Sequence, residues 1–404
     1  MIFVFDKSNE HGIIPNLVKR TDIIPKTKEW WDLAITPPYS FEFRFLNYLK
    51  IEGIQFQVKN VDQLANSDEI GLYPINLNFF DSTIDYFSLM SERARNLVKN
   101  NKLNILFYYS EGDDIEWHIK TRLADLASEY QFPPQRIKFV IANARVNCSN
   151  YHYFPDDELY YRYLNKDNDF VTEVNFESRT KKFTCLNRMD KPFRKLFAAH
   201  VWHDNLHHNS FFSYTGQNYA VEFPTNFRKL ENEWNTHWPY APSIVDKFEQ
   251  GIPYLCDDLP DHLHNNHKLI DKRFFSDAYW NVVVETHINK NNLFLTEKTF
   301  KPILNLQPFV IVGSVGSLDL LHRLGYKTFD CVIDESYDKE ENNELRLRKV
   351  FEIVKEFSNW DDQQHIQVQK RIQEILLFNQ KHFLSSKKYR LLDLMSSVSD
   401  ENLQ

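Results

Sequence analysis

Between residues 279 and 338 a carboxylate, a Thr-Glu-Lys-Thr step and a glycine-marked turn stand at successive element boundaries. The apolar, β-branched run from Asn281 to Ile288 (NVVVETHI) has the composition of a strand buried on both faces, and it delivers Glu285, Thr286 and His287 near its end. After the polar loop NKNN, Thr296 is placed to cap a helix whose first turn carries Glu297 and Lys298, with Lys301 one turn further on. Pro308 to Val312 reads as a second buried strand, and Gly313 and Gly316 open the next helix. In open α/β sheets ligands sit beyond the carboxyl ends of the strands, where the unpaired N–H groups of a helix start and nearby ammonium groups meet phosphate. The chemistry these residues offer is capture of a nucleoside diphosphate sugar, with Lys298 and Lys301 steadying the diphosphate as it leaves. The plainer alternatives are exposed lysines on a solvated helix and a glutamate favoured by the helix dipole.

Further groups fit the same chemistry. After the strand-like KKFTCL come Asn187, Arg188, Lys191 and Arg194, and a guanidinium pairs bidentately with phosphate oxygens, so Arg194 would clamp the diphosphate from the opposite side. An ion pair on a helix face is the alternative. Thr328 to Asp338 (TFDCVIDESYD) reads as a strand whose end would bring Asp334, Ser336 and Tyr337 to the sugar, or as a strand end and turn alone. Ser314 lies in the GSVGS turn, which lacks the Gly-Lys-Ser of a P-loop. Transfer to a hydroxyl needs a carboxylate to take its proton. The run NILFYYS delivers Glu111, Asp113 and Asp114 into a glycine-containing loop; Glu111 is the first candidate base and Asp114 the second, against an ordinary turn with a helix cap. The sets His200, His203, His207 and His262, His264, His267 lack a partnered cysteine or carboxylate set, so they read as surface or acceptor-binding histidines and no metal is expected. Asp167 to Asp169 resembles a metal-binding Asp-x-Asp but falls in a segment that reads as a linker.

The region from Tyr279 to Gly313 resembles the donor-binding motif of the family 10 fucosyltransferases, in which a strand ending Phe-Glu-Asn-Ser precedes Thr-Glu-Lys, a helix and a Val-Pro-Val-Val-x-Gly strand. Glu285 falls on the first Glu, Thr296, Glu297 and Lys298 on the Thr-Glu-Lys, and Gly313 on the closing Gly at the same distance from Lys298. Asn187 and Arg194, in residues 183–197, are similar to the family's Asn and the Arg about two turns later that faces the donor phosphates. The resemblance implies that Glu297 accepts hydrogen bonds from the ribose hydroxyls. Departures are Thr286-His287 in place of Asn-Ser, a longer loop, and Leu306 in place of a helix glycine; they leave the donor sugar open.

The elements that must position these groups alternate. In the first half IFVF, Ile54 to Val58, Asn104 to Tyr109 and Ile137 to Asn143 read as strands, with helices at Ser82 to Asn100 and Ile115 to Tyr130. Residues 151–180, polar and Tyr-rich, read as a linker or insertion. A second alternation starts at Lys182 to Leu186 and a helix at Pro192 to Leu206, followed by a long irregular region from Asn209 to His267. Glu340 to Ser358 and Asp361 to Leu392 read as terminal helices. The expected layout is therefore 1–150 as an acceptor-side α/β domain, 181–358 as a nucleotide-sugar-binding α/β domain, and 359–404 as helices and tail. This is an α/β, GT-B-like fold with two Rossmann-like parallel-sheet domains facing a cleft.

With 404 residues the chain can bury two cores, and a formal net charge of −8 argues against a generic nucleic-acid binder. The four cysteines have no CxxC spacing, and no window reaches the apolar length of a membrane span, so a protein of the cytoplasm, or of the host cytoplasm if viral, is expected. The Asn, Lys, Ile and Phe content suits an A/T-rich genome such as a phage's. The expected function is a metal-independent, inverting glycosyltransferase without cofactor that uses a GDP- or UDP-linked sugar. Its acceptor would be a glycan or a hydroxymethylated DNA base. The rival reading is a non-catalytic sugar-binding or virion structural protein of the same fold.

Overall fold

Leu103–Tyr109 (LNILFYY) and Ile137–Ile141 (IKFVI) are buried at every position, as strands covered on both faces must be. They are β4 and β5 of a six-stranded sheet in a computed structural model that describes residues 1–6, 42–77, 85–110, 116–146, 150–165, 167, 169–217, 241–256 and 271–399. The other strands are β1 (Ile2–Phe5), β2 (Gln57–Asn60), β3 (Gly71–Asn76) and β6 (Tyr151–Tyr153), in the order β2-β1-β3-β4-β5-β6. All the pairings are parallel. Parallel neighbours need crossovers. The helices of this half are α1 (Asn47–Ile51), α2 (Val61–Ala65), α3 (Glu92–Lys99), α4 (Glu116–Glu129) and α5 (Asp156–Asn165). Leu64, Ala94, Leu97, Val98, Leu123 and Leu126 from α2, α3 and α4 join Val4, Tyr73, Ile105, Phe107 and Phe139 of the sheet in one core.

The second sheet has four parallel strands, β7 (Lys181–Met189), β8 (Ser210–Gln217), β9 (Ala278–Val284) and β10 (Phe309–Val312), in the order β10-β9-β7-β8. Its helices are α6 (Pro192–His203), α7 (Ala241–Glu249), α8 (Arg273–Ser276), α9 (Glu297–Leu304), α10 (Ser317–Arg323), α11 (Asn343–Ser358) and α12 (Asp362–Leu384); α13 (Lys388–Val398) follows. The chain leaves β7 through α6 towards β8, and leaves β9 through α9 towards β10 on the other side. Right-handed crossovers therefore send α6 and α9 to opposite faces, and the strand order reverses between β7 and β9.

The α/β class with two parallel sheets is as the sequence leads one to expect, and several elements differ from it. The chain forms two compact units, Met1–Tyr160 with Ser386–Gln404, and Tyr161–Ser385. The segment 151–180 is not a featureless linker: Tyr151 stacks on Phe139 with ring centroids 4.5 Å apart, and the Arg44 guanidinium and Tyr108 hydroxyl both close on Asp156 at the start of α5. Of the helix expected from Ser82, only Glu92–Lys99 forms among the described residues, capped by Ser91. The region 209–267, read as irregular, contains β8 and α7. The run from Asp361 is two helices, broken after Leu384. Thr328 to Asp338 is no strand: the Glu335 carboxylate takes hydrogen bonds from the Thr328 hydroxyl and the Phe329 amide, both at 2.6 Å, and folds the segment into turns and a short 3-10 helix.

Candidate functional site

Glu285 follows β9 directly, its amide bonded to the Val312 carbonyl of β10. Its side chain is buried, and both oxygens are occupied from within the chain. Oε1 accepts from the Thr296 amide at 3.0 Å and the Thr299 hydroxyl at 2.6 Å. Oε2 accepts from the Thr296 hydroxyl at 2.7 Å and the Thr286 amide at 3.2 Å. A buried carboxylate is tolerated only when so satisfied. Glu285 is thus the latch that ties the Thr-Glu-Lys-Thr turn to the strand end. The Thr296 hydroxyl, while donating to Glu285, accepts from the Lys298 amide at 3.3 Å and caps α9.

The latch fixes what the first turn of α9 presents. Lys298 Nζ lies 3.2 Å from Glu297 Oε1, 3.2 Å from the Thr296 hydroxyl and 3.4 Å from the Thr286 hydroxyl. Lys301 stands one turn further on, half-buried, and makes no side-chain hydrogen bond or ion pair among the described residues. Burial pushes its ammonium below the usual lysine range; Glu297 opposes the shift and Lys298 adds to it.

From the other side of the switch point, α6 brings Arg194 and Lys191. Arg194 is buried, and its Nε and Nη2 donate to the Glu285 carbonyl at 3.2 and 2.7 Å. Burial lowers its pKa, opposed by Glu285 and Glu297. Lys191 donates to the Thr286 carbonyl at 2.8 Å. Thr184 is level with Asn281, and continuing that register brings Asn187 beside the exit of β9. Asn187 is 2% exposed; its amide nitrogen reaches Cys185 Sγ at 3.3 Å, while Oδ1 has no partner among the described residues. Ser314, after β10, is likewise buried with its hydroxyl unpartnered. Buried polar atoms of this kind are few in proteins and need an account. Arg188 lies beside this group, its carbonyl taking the Thr215 hydroxyl at 2.6 Å.

Gly313 is required by close approach: a Cβ there would stand 3.0 Å from Ile311 Cγ2, 3.2 Å from the Ser317 hydroxyl and 3.3 Å from Glu285 Cβ. The Gly313 carbonyl accepts from Arg346 Nε at 2.9 Å, and the same buried guanidinium donates to the Ile288 carbonyl at 2.7 Å and holds Glu340 and Asn343. Arg346 thereby joins the loops after β9 and β10. It sits in a charged helix 33 positions from Gly313, and no local pattern marks it.

The remaining expected residues bond elsewhere. Asp334 accepts from the amide and hydroxyl of Ser336, both residues exposed, and so caps its own 3-10 turn. Tyr337 is buried and its hydroxyl takes the Ile311 amide at 3.2 Å. Glu111 and Asp114 lie outside the described residues, as do His262, His264 and His267. His200 packs on Phe351 while His203 is exposed, and among the described residues no group of three or more His, Cys, Asp or Glu side chains could hold a metal. Asp169 pairs with Lys272. Among the described residues no helix is long and apolar enough to cross a membrane.

No family model and no curated protein sequence matches the chain. Among solved structures it is similar to one described as "OtsA apo structure", with 12% identity, 87% of this chain and 77% of that chain covered, and a TM-score of 0.38.

Proposed function

We propose that the chain is a glycosyltransferase that holds a GDP- or UDP-linked sugar at the carboxyl ends of β7 and β9. The observation that carries this reading is the gathering of Arg194, Lys298 and Lys301 at the reversal of strand order, together with the unpartnered Asn187 Oδ1 and Ser314 hydroxyl on the same edge. A diphosphate supplies the negative charge such cations answer, at the start of a capped helix. In the proposed step the acceptor oxygen bonds to the anomeric carbon as the bond to the diphosphate breaks, with inversion. The cations stabilise the charge that develops on the leaving group. Glu297 accepts hydrogen bonds from the ribose, Glu285 positions the turn, and the acceptor's proton goes to a carboxylate, for which Glu111 and Asp114, outside the described residues, are the candidates. The acceptor is a glycan or a hydroxymethylated DNA base.

One observation favours a non-catalytic sugar-binding or virion structural role: Arg194 and Lys298 already satisfy internal partners. A thermal-shift panel of GDP, UDP, dTDP and CMP with their sugars separates the two. A shift for one nucleotide, lost in Lys298→Ala, supports the transferase; glycan binding that no nucleotide alters supports the alternative.

A further inference from the structure

Tyr161 lies in α5 within the second unit, fully buried, its ring 6.1 Å from that of Phe383; Phe383 in turn stacks on Phe300 of α9 at 5.8 Å. The ring is therefore held against the helix that carries the Glu-Lys pair. Its hydroxyl has no hydrogen-bond partner among the described residues, although it is close enough to Glu297 for the carboxylate's charge to act on it. A buried O–H with a carboxylate nearby and no bond to it is an expensive arrangement to leave unmade. Glu297 meanwhile spends Oε1 on Lys298, at 3.2 Å. A phosphate arriving at Lys298 competes for that ammonium, and Oε1 then loses the donor it had while the carboxylate is still needed to orient the ribose.

We propose that Tyr161 is a positioning residue that takes over Glu297 when nucleotide enters: its hydroxyl donates to the carboxylate oxygen that Lys298 gives up to the diphosphate, and so keeps Glu297 aimed at the ribose hydroxyls. This rests on the donor reading above. The buried hydroxyl cannot itself meet a ligand, so its effect passes through Glu297.

The test uses the full chain and isothermal titration with GDP and UDP and their 2′,3′-dideoxy counterparts. Tyr161→Phe removes only the hydroxyl. It should weaken whichever ribonucleotide binds the wild type by about tenfold, the scale of one hydrogen bond to a charged group. It should leave the dideoxy counterpart unchanged. The unliganded melting temperature should hold or rise, because an unsatisfied hydroxyl is lost. In a Glu297→Ala background the same substitution should be silent, as a double-mutant cycle requires of residues acting through one another. Equal weakening of ribo and dideoxy ligands, or additivity with Glu297→Ala, overturns the assignment. Wild-type affinity in Tyr161→Phe, with binding still lost in Lys298→Ala, overturns the Tyr161 role and leaves the donor reading standing. Failure of both nucleotides to bind the wild type removes both.

Discussion

Two residues of the same motif do opposite work. Glu285 holds the turn together while Lys298, on the proposed reading, meets the ligand, and substitutions should separate the two functions. Glu285→Ala leaves the Thr296 amide and the Thr296 and Thr299 hydroxyls without their acceptor, at a cost of about 3 kcal/mol by the usual penalty for breaking a buried polar network. Denaturant unfolding should show that loss together with loss of nucleotide binding. Lys298→Ala should change stability by about 1 kcal/mol or less, since its ion pair with Glu297 is partly solvated. It should still abolish the nucleotide-induced thermal shift. A stable Glu285→Ala protein that binds nucleotide normally would refute the latch. The cap at Thr296 and the cations after it are legible in the sequence because capping is local. The latch is not, since the carboxylate and its acceptor-seeking threonines are 11 and 14 positions apart.

At the level of elements, the strands most easily read are those with unbroken apolar runs, β4, β5, β9 and β10. β3 escapes notice because Gly71 and Pro74 read as turn residues, yet Gly71 is there to admit its neighbours: a Cβ would sit 2.5 Å from Val4 Cγ2. β6 and α5 were masked by a tyrosine-rich, acidic composition whose polar groups are satisfied by Arg44 and Tyr108 from distant parts of the chain. The segment after Thr328 has an apolar pattern suited to a strand, and one carboxylate, Glu335, bends it into a turn. The same economy of space governs the loop after β10. Gly313→Ala should cost about 1–3 kcal/mol, the range for overpacking, because Ile311, Ser317 and Glu285 must all yield. The cost should appear in equilibrium unfolding of the second unit, and an unchanged midpoint would show that the loop gives way freely.

For the molecule as a whole, acid should act chiefly through buried histidines. Burial holds His200 and His365 down to about 4 from the usual 6.5; at His365 Lys182 and Arg179 add to burial and Asp362 opposes, while at His200 His203 adds and Asp204 opposes. Between pH 6.5 and 4 the unfolded chain takes up protons that the folded chain refuses, so stability is complete above that window and falls through it on acidification. Each histidine contributes about 1–3 kcal/mol. Glu335 runs the other way: burial raises it to about 7, so the folded chain keeps a proton that the unfolded chain has lost above pH 4.5, and its share declines as pH rises to 7. His365→Phe should preserve the stack on Tyr279 and reduce the acid dependence of unfolding by about one proton. Denaturation curves at pH 4.5, 5.5 and 6.5 would measure it, and an unaltered slope would count against His365.

The two units also differ in how the chain supplies them. The second is one continuous stretch, and its two ends meet: Arg162 Nε donates to the Leu384 carbonyl at 3.3 Å beside the contact of Tyr161 with Phe383. A fragment of residues 161–385 should therefore fold by itself, and joining its ends and reopening it at another loop should still give a folded product. The first unit is made of two pieces. Glu158 is buried between Lys387 and Arg390, so a fragment ending at residue 160 strands a buried carboxylate without either cation. A protease that nicks the chain near residue 385 would leave the second unit whole and still joined to residue 160, while the first would depend on a peptide of fewer than twenty residues to which it is no longer bonded.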